Sequence, residues 1–217
     1  MKKSHKPTIK CETVGCFCPH ASDGSTYTFE YVDHQKKIIY YDIPKTGSTT
    51  IRSSLFPGAW PTGEAPCVNS IQNSRDNYED YFTFTFVRNP WSRMISTWKH
   101  FASKDFHIKQ LISSGIDISN LKNFKSFLYM TLCHDNHHWQ PQHMFMPFDV
   151  DFIGRTETFQ QDFNTICDKI GIPRQQLPHT NKSKHRHYTE YYDDETQQIV
   201  AELFAKDIEY FGYKFGE

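Results

Sequence analysis

Two stretches of this chain are apolar almost without interruption, and both stop at a basic residue. Ile38-Ile39-Tyr40-Tyr41-Asp42-Ile43 runs into Pro44-Lys45, and Tyr81-Phe82-Thr83-Phe84-Thr85-Phe86-Val87 runs into Arg88. Their β-branched and aromatic content predicts buried strands. Val150-Asp151-Phe152-Ile153 predicts a third, shorter strand, with Gly154 and Arg155 at its end. Between them the spacing changes to that of helices. A helix is expected to start near Ile51. Asn89 is a good N-cap and Pro90 a good first helical residue, so Trp91 to Phe101 reads as helix. Further helices are expected over Phe124–Leu132, over 157–170 with Phe159, Phe163, Ile166 and Ile170 on one face, and over Asp194–Tyr210. Alternating strands and helices predict an α/β fold, a parallel sheet flanked by helices on both faces. Ligands of such sheets bind outside the carboxyl ends of the strands. Those ends carry Lys45, Arg88 and Arg155.

Residues 1–37 are polar and rich in turn signals, and are expected to be an N-terminal extension to a single domain over 38–217. Residues 57–80 read as a long loop, with three prolines and two glycines between Pro57 and Pro66; loops of that length are often functional. The 217 residues suffice for a core, and with aromatics at 16% that core leans on Phe, Tyr and Trp. The net charge of -1 gives no footprint for nucleic acid, so any anion site must be local. The basic start is followed by no apolar run, so neither a secretory signal nor a membrane segment is expected. Cys67, Cys133 and Cys167 read as isolated thiols. Cys11, Cys16, Cys18 and His20 offer four soft ligands close together, but not at the spacing of a zinc finger; a plain loop or hairpin is the expectation there.

Strand, hydroxyl-rich loop and helix in that order make an anion cradle at Pro44-Lys45-Thr46-Gly47-Ser48-Thr49-Thr50. Helix N-terminal amides and the helix dipole favour negative charge, and the lysine and hydroxyls add donors. The loop departs from the nucleotide-kinase pattern. There the lysine directly precedes the magnesium-binding hydroxyl, whereas Lys45 precedes the glycine. A second candidate phosphate site lies in Arg88-Asn89-Pro90-Trp91-Ser92-Arg93-Met94-Ile95-Ser96. Arg88 has a planar donor fork suited to phosphate, and Ser92 and Ser96 stand one turn apart.

The two motifs together resemble those of the sulfotransferases that use 3′-phosphoadenosine 5′-phosphosulfate (PAPS), in particular the chondroitin, HNK-1 and uronyl 2-O-sulfotransferase branch of the carbohydrate sulfotransferases. His138-Trp139-Gln140-Pro141-Gln142, Phe152 through Glu157 and Asp207 through Tyr213 extend the likeness over roughly 38–215. The resemblance implies a P-loop-like sulfotransferase fold and transfer of a sulfuryl group from PAPS to a hydroxyl, on a carbohydrate, with adenosine 3′,5′-bisphosphate as product and no metal. By position it implies that Lys45 contacts the sulfonate and the bridging oxygen, that Thr46, Gly47, Ser48, Thr49 and Thr50 hold the 5′-phosphate, and that Arg88 and Ser96 hold the 3′-phosphate. Lys184 and Arg186, in Asn181-Lys182-Ser183-Lys184-His185-Arg186, resemble a basic segment that closes over the nucleotide. The base that deprotonates the acceptor is left open between Glu64 and His138. The cluster His134, His137, His138, His143 has metal-like spacing, but a role in acceptor binding or catalysis for one of them is preferred.

The expected partner is thus a glycan or another hydroxyl-bearing acceptor, with no nucleic acid. The expected compartment is the cytoplasm of a bacterial or viral system; a Golgi-lumenal catalytic domain without its anchor is the alternative. Two other functions compete: a magnesium-dependent small-molecule kinase with an atypical loop, and a non-catalytic nucleotide- or glycan-binding module.

Overall fold

The structure is a computed structural model that describes residues 30–56, 79–146, 149–178 and 186–217. Its sheet has four strands in the order β1 (Glu30–Asp33), β2 (Ile38–Tyr41), β3 (Phe82–Val87) and β4 (Phe152–Arg155). β2, β3 and β4 are parallel, so their carboxyl ends share one edge. β1 is antiparallel to β2, so the sheet is mixed: to the expected parallel strands it adds one from within residues 1–37. The cause is a tight hairpin: Asp33 pairs with Ile38, and Lys37 takes a left-handed φ of 52° to turn the chain.

The period-2 rule sorts the sheet's residues between two cores. Ile38 and Tyr40 of β2 and Phe84 and Phe86 of β3 face one core. They pack there with Ile51 and Leu55 of α1 (Ser48–Leu55) and with Phe163 and Ile166 of α5 (Phe159–Ile170). Ile39 and Tyr41 face the other core, covered by Phe145, Met146 and the C-terminal Phe211 and Tyr213. A third cluster joins α2 (Pro90–Ser103), α4 (Phe124–Cys133) and α6 (Asp194–Leu203) around Trp91, Ile95, Trp98, Phe101, Phe127 and Val200. Gly154 of β4 is set by close approach, since a Cβ there would lie 2.5 Å from the Phe86 ring.

Two helical expectations change. The expected helix over Asp194–Tyr210 is broken at Phe204 into α6 and α7 (Ala205–Phe211). The break lets the buried Asp207 carboxylate accept the backbone N–H groups of Gln142 (2.6 Å) and His143 (3.0 Å) and face the His143 Nδ1 at 2.7 Å. Those contacts outweigh the cost of interrupting the helix. A helix absent from the expectations, α3 (Asp105–Ser113), follows α2. Its apolar residues Ile108, Leu111 and Ile112 stand at i, i+3 and i+4, but only Leu111 is fully buried, and Phe106 is 74% exposed. Among the described residues no helix is long and apolar enough to cross a membrane. Cys167 is a buried thiol and Cys133 an exposed one; Cys11, Cys16, Cys18, His20 and Cys67 lie outside the described residues.

Candidate active site at the strand ends

The loop after β2 is built from two left-handed residues. Lys45 has φ 75° and Gly47 φ 92°. Left-handed backbone costs a lysine roughly 1–3 kcal/mol and is held only where its surroundings impose it. The imposing contacts are visible. The Thr46 and Ser48 hydroxyls both donate to the Ile43 carbonyl, at 2.8 and 2.9 Å, and Arg93 Nε donates to the Pro44 carbonyl at 2.9 Å. Gly47 is the N-cap of α1, and the N–H groups of Thr50 and Ile51 bond back to its carbonyl. The amides before them have no acceptor within the helix and are available to an anion. The hydroxyls of the expected cradle therefore play different parts. Thr46 and Thr50 are buried, the Thr46 and Ser48 hydroxyls are turned inward, and Thr49 is exposed.

Gly47 also lies against α5, where a Cβ would sit 2.5 Å from Phe159 Cζ. Gly47→Ala is expected to cost about 2–4 kcal/mol, the sum of left-handed strain and overpacking. A denaturant titration checks it. In a Phe159→Ala background only the steric part of that cost should disappear.

Arg88 continues from β3. Gln142 fixes its backbone, accepting the Arg88 N–H and donating to its carbonyl, both at 2.8 Å. The Arg88 side chain then donates Nε to Ser92 Oγ at 3.0 Å and reaches the Lys45 carbonyl with Nη1 at 3.5 Å. Ser96, half-buried, stands one turn beyond Ser92 on α2. Asn89 caps α2 as expected, accepting the N–H groups of Trp91 and Ser92, and its own N–H goes to Glu157 Oε1. Arg155 does not join. Its guanidinium donates to the Phe211 carbonyl and lies 4.7 Å over the Tyr213 ring, so it anchors the C-terminal segment.

The sequence motifs assign Arg93 no role of its own. It is buried on α2, with Nε on the Pro44 carbonyl and Nη1 on the Gln140 carbonyl at 2.7 Å. It therefore ties the Lys45 loop to the segment that carries His138. A readable signal exists: Arg93, Thr97 and His100 form a polar stripe at i, i+4 and i+7 beside the apolar face of α2.

The site is electropositive around Lys45, while Glu157 and Asp207 act on Arg88 and Arg93 behind it. Burial, followed by the charges of Arg88, Arg93 and Lys104, lowers Lys45 to about 8. Every charge that shifts it is cationic. Such a field binds anions, because an anion relieves repulsion that the protein already carries.

His138 enters the same field from the turn over His137–Trp139. Asn136 Oδ1 accepts the His138 backbone N–H at 2.9 Å and stands 3.0 Å from its Nδ1. The oxygen can only accept, so Nδ1 carries a proton and Nε2 keeps the lone pair. Burial, then the neighbouring His137, His107, His100 and Lys45, pushes its pKa far down. The four-histidine grouping expected from spacing does not form. His134 is exposed and His143 is paired with Asp207. His138 instead meets His100 of α2 and His107 of α3. Glu64 and Lys184 lie outside the described residues, and Arg186 is exposed, 4.0 Å from Glu190.

A profile of the sulfotransferase family matches residues 64–214, well over half of the chain. The chain belongs to the sulfotransferase family. The match begins beyond the Lys45 loop, so it is independent of that motif. Among curated proteins, carbohydrate sulfotransferase 9 of Homo sapiens is 25% identical over 243 residues, covering 91% of this chain and 52% of its own length. The chain thus spans about half the length of that relative. An uncharacterized protein of Archaeoglobus fulgidus is 26% identical over 102 residues, 45% of this chain and 74% of its own. A solved sulfotransferase from Alicyclobacillus acidocaldarius covers 64% of this chain and 56% of its own at 16% identity, with a TM-score of 0.31, too low to argue from.

Proposed function

We propose that this chain transfers a sulfuryl group from PAPS to an acceptor hydroxyl, and that the acceptor is a carbohydrate. The observation that carries the reading is Lys45: half-buried, in strained backbone, surrounded by Arg88, Arg93 and Lys104, and coupled in charge to neutral histidines. In the step we envisage the acceptor oxygen attacks sulfur in line. The bond from sulfur to the bridging oxygen of the 5′-phosphate breaks, and adenosine 3′,5′-bisphosphate leaves. Lys45 stabilises the charge that grows on the bridging oxygen, where electrostatic help is most effective. The α1 amides with Thr49 hold the 5′-phosphate. Arg88 with Ser96 holds the 3′-phosphate. The acceptor's proton passes to Nε2 of His138, the unprotonated nitrogen that the Asn136 contact leaves. A very low histidine pKa makes a poor base in the empty site. The bound anions oppose the part of that shift due to Lys45, while the larger part, from burial, remains.

The carbohydrate acceptor is supported by the name of the human relative. It is supported also by Phe106, an exposed ring beside His107 that suits the apolar face of a sugar.

Calorimetry separates the readings. Adenosine 3′,5′-bisphosphate is expected to bind at least about tenfold more tightly than ATP with or without magnesium, and Arg88→Ala is expected to cost about 1.5–3 kcal/mol of that binding. ATP binding as tightly would overturn the assignment in favour of a kinase. Labelled sulfate transfer to a glycan panel, against Lys45→Ala, then distinguishes an enzyme from a binding module.

A further inference from the structure

The histidines beside Lys45 form a group of their own. His100 comes from the end of α2, His107 from α3 and His138 from the turn over His137–Trp139. One ring nitrogen of each lies within 4.8 Å of one ring nitrogen of both others. The ring centroids are 4.4 Å apart for His100–His107, 5.5 Å for His107–His138 and 5.9 Å for His100–His138. All three are half-buried.

Two of the rings are also oriented as ligands are. His138 has its Nδ1 proton on Asn136, and His107 has Nδ1 3.4 Å from Gln110 Oε1. A second polar partner of this kind fixes the tautomer and ring direction of metal-bound histidines. Each of these rings then has Nε2 to give. Three imidazoles from three elements supply the protein ligands of a zinc-type site. Bonds of about 2.0–2.1 Å put such nitrogens roughly 3.4 Å apart. The trio therefore has to draw in by at most the difference from 4.8 Å, a matter of side-chain rotation on half-buried residues.

We propose that His100, His107 and His138 bind one divalent transition-metal ion of the zinc class, and that its binding stops sulfuryl transfer. The site goes beyond the expectation that no metal takes part. Its inhibitory effect rests on the proposed function, for two reasons. The ion occupies the His138 lone pair that receives the acceptor's proton. It also places positive charge next to Lys45, whose field these histidines already feel, and so repels the cation the reaction needs. The nearby charges of Lys45 and Lys104 oppose hard ions, which have little covalent bonding to imidazole to offset them.

Cobalt(II), followed by its visible d–d absorption, tests the site without any need for activity. One equivalent is expected to bind and to be displaced by zinc. His107→Ala and His100→Ala should each lower the affinity at least about tenfold, with His134→Ala, an exposed residue, as the control. Circular dichroism confirms that the variants are folded. Cobalt binding unchanged in both variants overturns the site and assigns the signal to other ligands, such as the cysteines near the N-terminus. For inhibition, the ratio of transfer rates with and without one equivalent of zinc should be well below one in the parent, be restored by a chelator, and approach one in His107→Ala. A parent ratio of one, with cobalt bound to the trio, overturns the inhibitory half. A chain with no transfer at all fails the proposed function, and the cobalt titration still decides the site.

Discussion

Lys45→Ala is expected to lower the turnover number for sulfuryl transfer by about 10²–10³-fold, the usual cost of deleting one group aimed at developing charge. Binding of adenosine 3′,5′-bisphosphate should change only a few-fold, because the loop amides and Arg88 remain. That split between turnover and binding is the signature of an interaction made mainly in the transition state. The substitution leaves the backbone conformation available, since alanine meets the same left-handed cost at φ 75° as lysine. The ionisation of Lys45 adds a second readout. Its pKa is lowered to about 8 by burial and by Arg88, Arg93 and Lys104. Protonated below that value, it loses its charge above it. In the free enzyme the kcat/KM for the donor should therefore fall as pH rises through about 8. The kcat profile should hold to higher pH, because the bound phosphosulfate favours the charged lysine. Lys45→Arg should remove the alkaline limb near pH 8 while restoring part of the rate. An unchanged turnover number in Lys45→Ala, or an alkaline limb that survives the substitution to arginine, would remove Lys45 from the chemistry.

What is legible in the sequence follows from how local each feature is. β2, β3, α2, α4 and α5 are readable because their apolar residues repeat at one period and their ends carry local signals, Asn89 and Pro90 above all. The Lys45 loop is readable because a strand, a glycine and a run of hydroxyls are contiguous. The antiparallel β1 is not, since Glu30-Tyr31-Val32-Asp33 has polar ends and its burial depends on pairing with β2. Nor is α3, whose short apolar set of Ile108, Leu111 and Ile112 is only partly buried. The histidine grouping fails for the same reason in reverse. His134, His137, His138 and His143 are neighbours in sequence, but Asp207, 64 residues from His143, takes that ring away. His100 and His107 reach His138 only because α2 and α3 fold back over the 137–139 turn. Arg155 looks like Arg88 by position, and differs because Tyr213 and the Phe211 carbonyl are there to receive it. Contacts between distant parts of the chain decide these cases, and no local period encodes them.

Arg93→Met is expected to reduce transfer by about 100-fold and to lower stability by about 2–5 kcal/mol. The two effects separate because opposing terms partly cancel in one and not in the other. Arg93 is fully buried, and burial pushes its pKa down to about 10, with Asp207 the main opposing influence. Its Nη2 is buried with no protein acceptor among the described residues. Replacing such a charge with an apolar chain of similar length recovers desolvation energy, which offsets part of what is lost when the buried Asp207 is left without the nearby cation. Against this, the Pro44 and Gln140 carbonyls lose their donors, at about 1–3 kcal/mol each. The effect on folding is partly offset. The effect on the site is not, because the Pro44 carbonyl immediately precedes Lys45, and Gln140 follows His138 by two residues. Without the guanidinium, the donor loop and the segment that receives the proton lose the side chain that donates to both Pro44 and Gln140. A shift of about 1 Å between reacting groups costs on the order of 10²-fold. Arg93→Lys should fall between parent and Arg93→Met, since an ammonium keeps the charge but lacks the fork that holds two carbonyls at once. Chemical denaturation and initial rates, measured on the same preparations, check both numbers. A folded Arg93→Met enzyme with the parent's rate would show that the loop and the histidine segment hold their places without Arg93.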